Sequence, residues 1–188
     1  MTVSELHERH FHALDAERLL LRPLVMEDAS DMFAYTSIPE SFRFLRRSTH
    51  TSEDEDREFI QNVLSGYRQH CEFVWGICFH LENRLIGTCR LFDLRPSEGN
   101  CEVSYLVHPF FQKRGIASEA VRRVIRYAFE ELDLERVYAR CATTNIGSER
   151  VMQKCGMILE KTMPNHSKIH GVWHDFLLYS IKRSKTAL

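Results

Sequence analysis

The chain has 188 residues, of which 44% are hydrophobic and 27% charged, and its formal net charge at pH 7 is -1. This composition is typical of a globular protein large enough to bury a core without disulfide or metal support. The near-zero charge argues against wholesale binding to nucleic acid or to an anionic membrane, and no apolar run approaches the ~20 residues of a transmembrane helix.

The cysteine pattern bears on the redox compartment. The chain has six cysteines, which are Cys71, Cys78, Cys89, Cys101, Cys141 and Cys155. None form a C-x-x-C pair, most fall in apolar, strand-like runs, and no secretory signal peptide is recognisable. We therefore expect reduced, buried thiols in a cytoplasmic protein, with no disulfide framework.

The N-terminal part of the chain predicts an arm, a strand and two helices. Residues 1–14 are polar and His-rich, so we expect a flexible arm followed by a single domain over residues 15–188. Arg18 to Val25 predicts a strand that ends at Pro23. A short helix follows, with acidic residues in its first turn. Ser52 and Glu55 fit a capping box that begins a longer helix through residue 67.

From residue 71 the apolar positions change to the two-residue period of strands. Residues 73–80 and 85–94 predict strands joined by a turn at 82–84. Further strands are predicted over 101–108, 136–142, 157–161 and 173–181, with helices after the first two, the second ending at Gly156. Helices before an antiparallel meander, then strand–helix–strand–helix, predict an α/β (α+β) sheet covered on both faces.

A basic turn, Gln112 to Ala117, stands between the 101–108 strand and an amphipathic helix. The first amides of a helix are unpaired and lie at the positive end of its dipole, which makes an anion site. Lys113 and Arg114 are unfavourable there by about 0.3–1 kcal/mol each unless an anion offsets their charge. The turn predicts either a phosphate site or a solvated basic corner.

Three further segments accompany this turn in the same order and spacing as in a known family. They are Glu17 to Pro23, Tyr105 to Pro109, and the helix that begins at Asn145 and ends before Met157. Together the four segments closely resemble the GNAT acetyltransferase superfamily, and more narrowly its branch of ribosomal-protein N-terminal alanine acetyltransferases, from about residue 15 to 182. The resemblance implies a GNAT fold, with a mixed, mostly antiparallel sheet of about seven strands and helices on both faces.

The resemblance also implies acetyl-CoA as co-substrate. The 105–107 strand would offer backbone groups to the pantetheine arm, the 112–117 turn would wrap the pyrophosphate, and Asn145 would reach the amide arm. Gly115 would permit close approach of the backbone. Arg150 and Lys154 would bind the outer phosphate or remain solvated surface charges. The implied cofactor-binding residues are Leu106, Val107, Gln112, Lys113, Arg114, Gly115, Ile116, Ala117 and Asn145.

Two residues are candidates for the chemistry, which needs a neutral amine and a donor for the departing thiolate. Glu102 shares a strand face with Ser104 and Leu106, and it is either the base or the ion-pair partner of Arg90. Ser148 is either the donor or a helix cap. Asp175, in the last strand, would orient the amine or link that strand to its neighbour.

The expected reaction is direct transfer within a ternary complex, and the favoured acceptor is a protein N-terminal α-amine of ribosomal-protein type. The alternatives are a small amine, a polyamine or an aminoglycoside-like acceptor, or a catalytically silent acyl-CoA sensor. A dinucleotide-binding domain is disfavoured because the turn lacks G-x-G-x-x-G. The segments 33–47 and 164–173 would select the acceptor.

The remaining expectations concern metals and partners. His166, His170 and His174 are spaced by four, but Pro164 and Gly171 interrupt the segment, which favours a β-hairpin over a helical metal site. The expected partners are acetyl-CoA and an amine acceptor, with no direct nucleic-acid or membrane contact. A homodimer is left open.

Overall fold

The computed structural model describes residues 2–70 and 72–184, so the expectation for Cys71 lies outside the described residues. Within these ranges, one sheet of eight strands has the order β1-β2-β3-β4-β5-β6-β8-β7. Its strands are β1 (Leu14–Asp15), β2 (Leu19–Pro23), β3 (Phe73–Phe79), β4 (Glu82–Arg95), β5 (Asn100–Val107), β6 (Arg136–Ala142), β7 (Ile158–Ile169) and β8 (Val172–Lys182). The helices are α1 (Val3–His10), α2 (Ala29–Thr36), α3 (Pro39–Phe42), α4 (Glu53–Arg68), α5 (Ile116–Glu130) and α6 (Ile146–Lys154).

Helices cover both faces of this sheet, as expected. On β3, Trp75 and Ile77 belong to the larger core, which includes α1, α5 and α6, whereas Val74 and Cys78 belong to a smaller core with α2 and α4. Successive side chains of a strand point to opposite faces, so the near-continuous apolar run of β3 lies between two helical layers. The predicted fold class is therefore confirmed.

Among the described residues, β5 and β6 form the one parallel pair, and the sheet divides there. β5 and β6 pair through Asn100, Cys101 and Glu102 of β5 and residues 136–138 of β6, whereas the other adjacent strands pair antiparallel. Beyond Glu102 the two strands separate. We call this opening the strand split, since it separates the remainder of β5 from residues 139–142 of β6.

The N-terminal segment corrects the expectation of a flexible arm over residues 1–14. Residues 3–10 form α1, whose Leu6 is 1% exposed and whose His7 ring packs 5.0 Å from the Phe73 ring. A reciprocal capping box begins this helix, because Thr2 and Glu5 each accept a hydrogen bond from the other's backbone amide. The polar composition of this segment gave no indication that Leu6 and His7 are buried.

Two local predictions are also corrected. Ser52 is the N-cap of α4 but makes no side-chain cap, and the Glu55 carboxylate accepts hydrogen bonds from the amide and hydroxyl of Thr51. The β3–β4 turn falls at residues 80–81 rather than 82–84. The 164–171 segment does form a hairpin, and Gly156 follows the C-cap of α6 with the left-handed φ of 78° that favours glycine.

The described cysteines Cys78, Cys89, Cys101, Cys141 and Cys155 are free, buried thiols. Among residues 2–70 and 72–184, no helix is long and apolar enough to cross a membrane.

Candidate active site

The ends of β5 and β6 define one edge of the strand split. Because the two strands are parallel, their carboxyl ends lie at the same edge, and each is followed by a helix, α5 after β5 and α6 after β6. Both helices therefore begin near this edge and direct unpaired amides and positive dipole ends towards it. Such an edge is where open α/β sheets bind their ligands.

The 112–117 turn enters α5 through two residues with left-handed backbone. Lys113 has φ 61° and Gly115, the N-cap, has φ 82°, while Arg114 between them does not have a positive φ. Alternating backbone handedness turns successive amides towards one concavity, which is an anion-binding arrangement. The amides of Ile116 and Ala117 begin the helix, so their acceptors must come from outside it.

An ion pair between a buried carboxylate and a half-exposed arginine supports the outside of this turn. Glu119, in the first turn of α5, accepts from the Arg18 amide at 2.6 Å and from Arg18 Nε at 2.8 Å. Both terminal nitrogens of Arg18 lie 3.3 Å from the Arg114 carbonyl oxygen. We call this set the Arg18–Glu119 brace, and it ties the outside of the turn to the start of β2.

The turn's cations are partly accounted for within the chain. The Arg114 guanidinium lies 4.7 Å from the centre of the exposed Phe110 ring, a cation–π contact that supports an otherwise unfavourable charge. Gln112 Nε2 donates to the Val107 carbonyl oxygen at 3.0 Å. These contacts hold the backbone of the turn in place, while the side chains of Lys113 and Arg114 are exposed.

Val107 and Leu106 use their backbones differently. The His108 amide donates to the Ile86 carbonyl oxygen of β4, and Val107 pairs in register with Gly87. In an antiparallel ladder alternate residues face the same neighbour, so Leu106 bonds towards β4 and Val107 faces the strand split. The geometry opposes the prediction that Leu106 offers its backbone to a ligand, whereas Val107 keeps a free direction for its amide.

A cavity of about 120 Å³ occupies the strand split. Its polar lining comprises Glu102, Ser104, Tyr105, Arg140, Asn145 and Ser148. Glu102 and Arg140 lie on the α2–α4 face of the sheet, whereas Tyr105 packs on the α5–α6 face and contacts Ser148 of α6. The cavity thus connects the two faces and brings together three predicted site residues, Glu102, Asn145 and Ser148.

Glu102 is held by an arginine that sequence reasoning did not identify. Its carboxylate, 6% exposed, forms a bidentate ion pair with Arg140 of β6, in which Nε donates at 3.0 Å and Nη2 donates to the second oxygen. This bonding to Glu102 raises the pKa of Arg140. The expected alternative partner was Arg90, but that residue donates to Ser104 Oγ at 2.9 Å instead.

Ser148 does not cap its helix. The cap is Asn145, whose Oδ1 accepts from the Ser148 amide at 3.1 Å. The Ser148 hydroxyl lies 2.8 Å from the Tyr105 hydroxyl. The helix-cap alternative for Ser148 is therefore wrong, and its side chain is available to the cavity.

The two segments predicted to select an acceptor contact each other, and one of them lines the cavity. Phe44 and Leu45 line it beside Phe176 of β8. The hairpin tip reaches the same region, since Ile169 is 2% exposed and His170 Nε2 lies 3.2 Å from the Phe42 carbonyl oxygen. The 33–47 segment thus lines the cavity, whereas the 164–173 segment contacts that segment and does not itself line the cavity.

The remaining candidates of the hairpin have separate environments. Asp175 Oδ1 accepts from the Asn165 amide at 2.8 Å. This bond links β8 to β7, which is the second of the two roles expected for Asp175. The His166 ring lies 5.2 Å from the Phe176 ring in a tilted arrangement, and its Nε2 lies 3.5 Å from Arg140 Nη1. Within the described ranges, no three His, Cys, Asp or Glu side chains cluster as a metal site would require. Arg150 and Lys154 are exposed on α6.

A larger open depression of about 270 Å³ adjoins the cavity through Arg140. None of the predicted site residues line it. Its other arginines are already paired, Arg95 with Asp93 and Arg136 with Glu160. Although the depression is larger, it therefore has fewer candidate catalytic residues than the cavity in the strand split.

The local sequence gives no indication that three residues of the site take part in it. These are Arg18, Arg140 and Tyr105. Arg18 and Glu119 are separated by 101 positions, and Arg140 and Glu102 by 38. The order of strands in the sheet decides both pairs. Tyr105 was recognised for its backbone, and its hydroxyl contact became visible only when α6 was placed.

Known proteins are similar to this chain over most of its length. A family model described as an acetyltransferase (GNAT) domain matches residues 18–158. The probable N-acetyltransferase YjcK of Bacillus subtilis is 31% identical over 173 residues, which are 89% of this chain and 96% of that protein. Among solved structures, a GNAT-family acetyltransferase from Bacillus anthracis has a TM-score of 0.82 at 26% identity, covering 90% of this chain and 98% of the other.

Two further relatives have names that specify acceptors. The putative ribosomal N-acetyltransferase YdaF of Bacillus subtilis is 32% identical over 125 residues, which are 65% of this chain and 68% of that protein. A spermidine N(1)-acetyltransferase of Vibrio cholerae is 25% identical over 104 residues, which are 55% of this chain and 60% of that protein.

Proposed function

Because the chain belongs to the GNAT acetyltransferase family, we propose that it acetylates the α-amine of a protein N-terminus. At the coarser level the predicted activity is confirmed: the protein is an N-acetyltransferase that uses acetyl-CoA and acts on an amine. The acceptor and the roles of individual residues are the proposal.

The donor end of the proposed site is the 112–117 turn with Val107 and Asn145. The turn's left-handed residues and the unpaired amides at the start of α5 fit a pyrophosphate. Ile116 is 2% exposed and Ala117 packs against the core, so both would bind through backbone amides. The Val107 amide, which faces the strand split, would polarise the thioester carbonyl.

The reaction end is divided between the faces of the sheet. Acetyl-CoA supplies an acetyl thioester, whose carbon–sulfur bond breaks as the amine nitrogen bonds to the carbonyl carbon. On the α2–α4 face, Glu102 would accept or relay the proton that the amine loses. On the α5–α6 face, the Ser148 hydroxyl would donate a hydrogen bond to the departing sulfur, which takes its final proton from water.

The Glu102–Arg140 pair is the observation that supports an α-amine as the acceptor. Among the described residues that line the cavity, Glu102 supplies the one carboxylate, and both of its oxygens already accept from a guanidinium. The pair leaves no net negative charge to attract a polyamine. The pair also favours an amine that loses its proton easily. At pH 7, deprotonation costs about 1.4 kcal/mol for an α-amine and about 4.6 kcal/mol for a lysine.

A panel of acceptors tests this proposal by thiol release from acetyl-CoA. The panel contains peptides with free N-termini, the same peptides N-terminally blocked but carrying lysine, free amino acids, and spermidine. We expect kcat/KM at pH 7 to be at least about tenfold higher for the α-amines than for the lysine peptides. A preference for spermidine or lysine would overturn the acceptor assignment. Acetyl-CoA binding without release for any amine would indicate a silent sensor.

The proposal includes a cytoplasmic location. The five described cysteines are free thiols buried in the core, which supports a reducing compartment.

A further inference from the structure

Tyr105 brings a second hydroxyl to the proposed donor, Ser148. Its phenol oxygen lies 2.8 Å from Ser148 Oγ and 3.1 Å from the Ser148 carbonyl oxygen. Both side chains line the cavity in the strand split. A phenol carries one proton, so the Tyr105 hydroxyl chooses between these two acceptors.

The choice decides the direction of the Ser148 proton. If Tyr105 donates to the carbonyl oxygen, the serine hydroxyl can donate back to the phenol oxygen, away from the cavity. If Tyr105 donates to Ser148 Oγ, the serine proton must point elsewhere. The open side of Ser148 is the cavity, so the second arrangement directs its proton there.

The surroundings keep Tyr105 a donor. Burial raises the pKa of Tyr105, so the phenol retains its proton at neutral pH. The Cys141 thiol, on the cavity side of β6, does not replace Tyr105 as the partner of Ser148. Burial raises the pKa of that thiol to about 12, and a neutral thiol is a weak hydrogen-bonding group. The Tyr105–Ser148 contact is the stronger hydrogen bond at this hydroxyl.

We propose that Tyr105 is a positioning residue for the reaction: it holds Ser148 Oγ so that the serine proton points at the departing sulfur of acetyl-CoA. The inference rests on the proposed function, in which Ser148 stabilises that sulfur. Tyr105 itself touches no reacting atom and loses no proton. Its contribution is realised as negative charge develops on the sulfur, so it acts on kcat and not on cofactor binding.

A double-mutant cycle tests the inference. The variants are Tyr105→Phe, Ser148→Ala and both together, assayed by thiol release with the best amine of the panel. We expect Tyr105→Phe to lower kcat about tenfold while KM for acetyl-CoA changes by less than about twofold. In the Ser148→Ala background, Tyr105→Phe should have no further effect on kcat, because the group it positions is gone.

Tyr179→Phe is the matched control. The Tyr179 hydroxyl also bonds to α6, donating to Glu149 Oε1 at 2.8 Å, but it does not line the cavity. It should leave kcat unchanged. Thermal unfolding of each variant separates loss of positioning from loss of packing, since packing losses lower Tm and add independently of Ser148.

The outcomes distinguish this inference from the proposed function. If Ser148→Ala lowers kcat and Tyr105→Phe lowers it by the same factor with or without Ser148, the inference is wrong and the proposed function stands. If Tyr105→Phe alone leaves kcat unchanged, the inference is also wrong. If Ser148→Ala leaves kcat unchanged, the role of Ser148 fails and the inference fails with it. If no amine releases thiol from the wild type, the proposed function itself is overturned.

Discussion

One end of the site is formed by backbone groups and the other by side chains. The 112–117 turn is a backbone structure, made by left-handed φ values at Lys113 and Gly115 and the start of α5, with the Arg18–Glu119 brace behind it. The cavity is made by side chains from distant strands, the Glu102–Arg140 pair on one face and the Tyr105–Ser148 contact on the other. A backbone site fits the part of the co-substrate that is always the same, whereas side chains can differ with the acceptor.

This difference separates binding from chemistry. Changes at the turn should alter the affinity for acetyl-CoA, because the turn acts before and during the reaction alike. Changes in the cavity should alter turnover, and by amounts that depend on the acceptor. Three variants, in order of expected effect, test this division.

Glu102→Gln should have the largest effect. If Glu102 handles the amine proton, kcat should fall about 100-fold with a lysine peptide and about tenfold or less with an α-amine, since the lysine needs more help. Steady-state kinetics with both acceptors measure the ratio. Glu160→Gln is the matched control, because Glu160 forms a similar bidentate pair with Arg136 outside the cavity. Equal losses for the two amines would exclude a general base at Glu102.

Gly115→Val should weaken acetyl-CoA binding at least about tenfold. A β-branched residue is strained at φ 82°, so the backbone of the turn is expected to rearrange even though the added Cβ would have room beside Arg18. Titration calorimetry measures the affinity. Gly171→Val introduces similar strain at φ 84° in an open hairpin tip and should leave this affinity unchanged. Unchanged affinity in Gly115→Val would remove the turn from the site.

Glu119→Gln should have the smallest effect. Loss of the carboxylate weakens the Arg18–Glu119 brace but leaves the turn's own backbone in place, so KM for acetyl-CoA should rise about threefold to tenfold at constant kcat. Glu130→Gln, at the exposed opposite end of α5 where Glu130 pairs with Arg126, should change neither constant. A fall in kcat with KM unchanged would show that the brace serves the chemistry instead.

The same difference explains what the sequence could predict. The turn and the helices around it follow from local patterns: the apolar stripe of α5, Gly115 before it and Asn145 before α6 all act over a few positions. β6 was predicted at its observed bounds, Arg136–Ala142. The backbone part of the site therefore lies within reach of the sequence.

The side-chain part depends on the order of strands in the sheet. The expected partner of Glu102 was Arg90 of the preceding strand, yet β6 pairs with β5 on its other side and supplies Arg140. The N-terminal segment failed for the same reason. Its polar residues predicted an arm, but Leu6 and His7 are buried against elements that follow much later in the chain.

A crystal structure of the protein with CoA and an N-terminal peptide tests the central claim most directly, that donor and acceptor meet through the strand split from opposite faces of the sheet. The account predicts pyrophosphate oxygens at the amides of the 112–117 turn, the sulfur beside Ser148, and the peptide α-amine on the face of Glu102. A peptide amine on the α5–α6 face, or a pyrophosphate bound away from the turn, would contradict it.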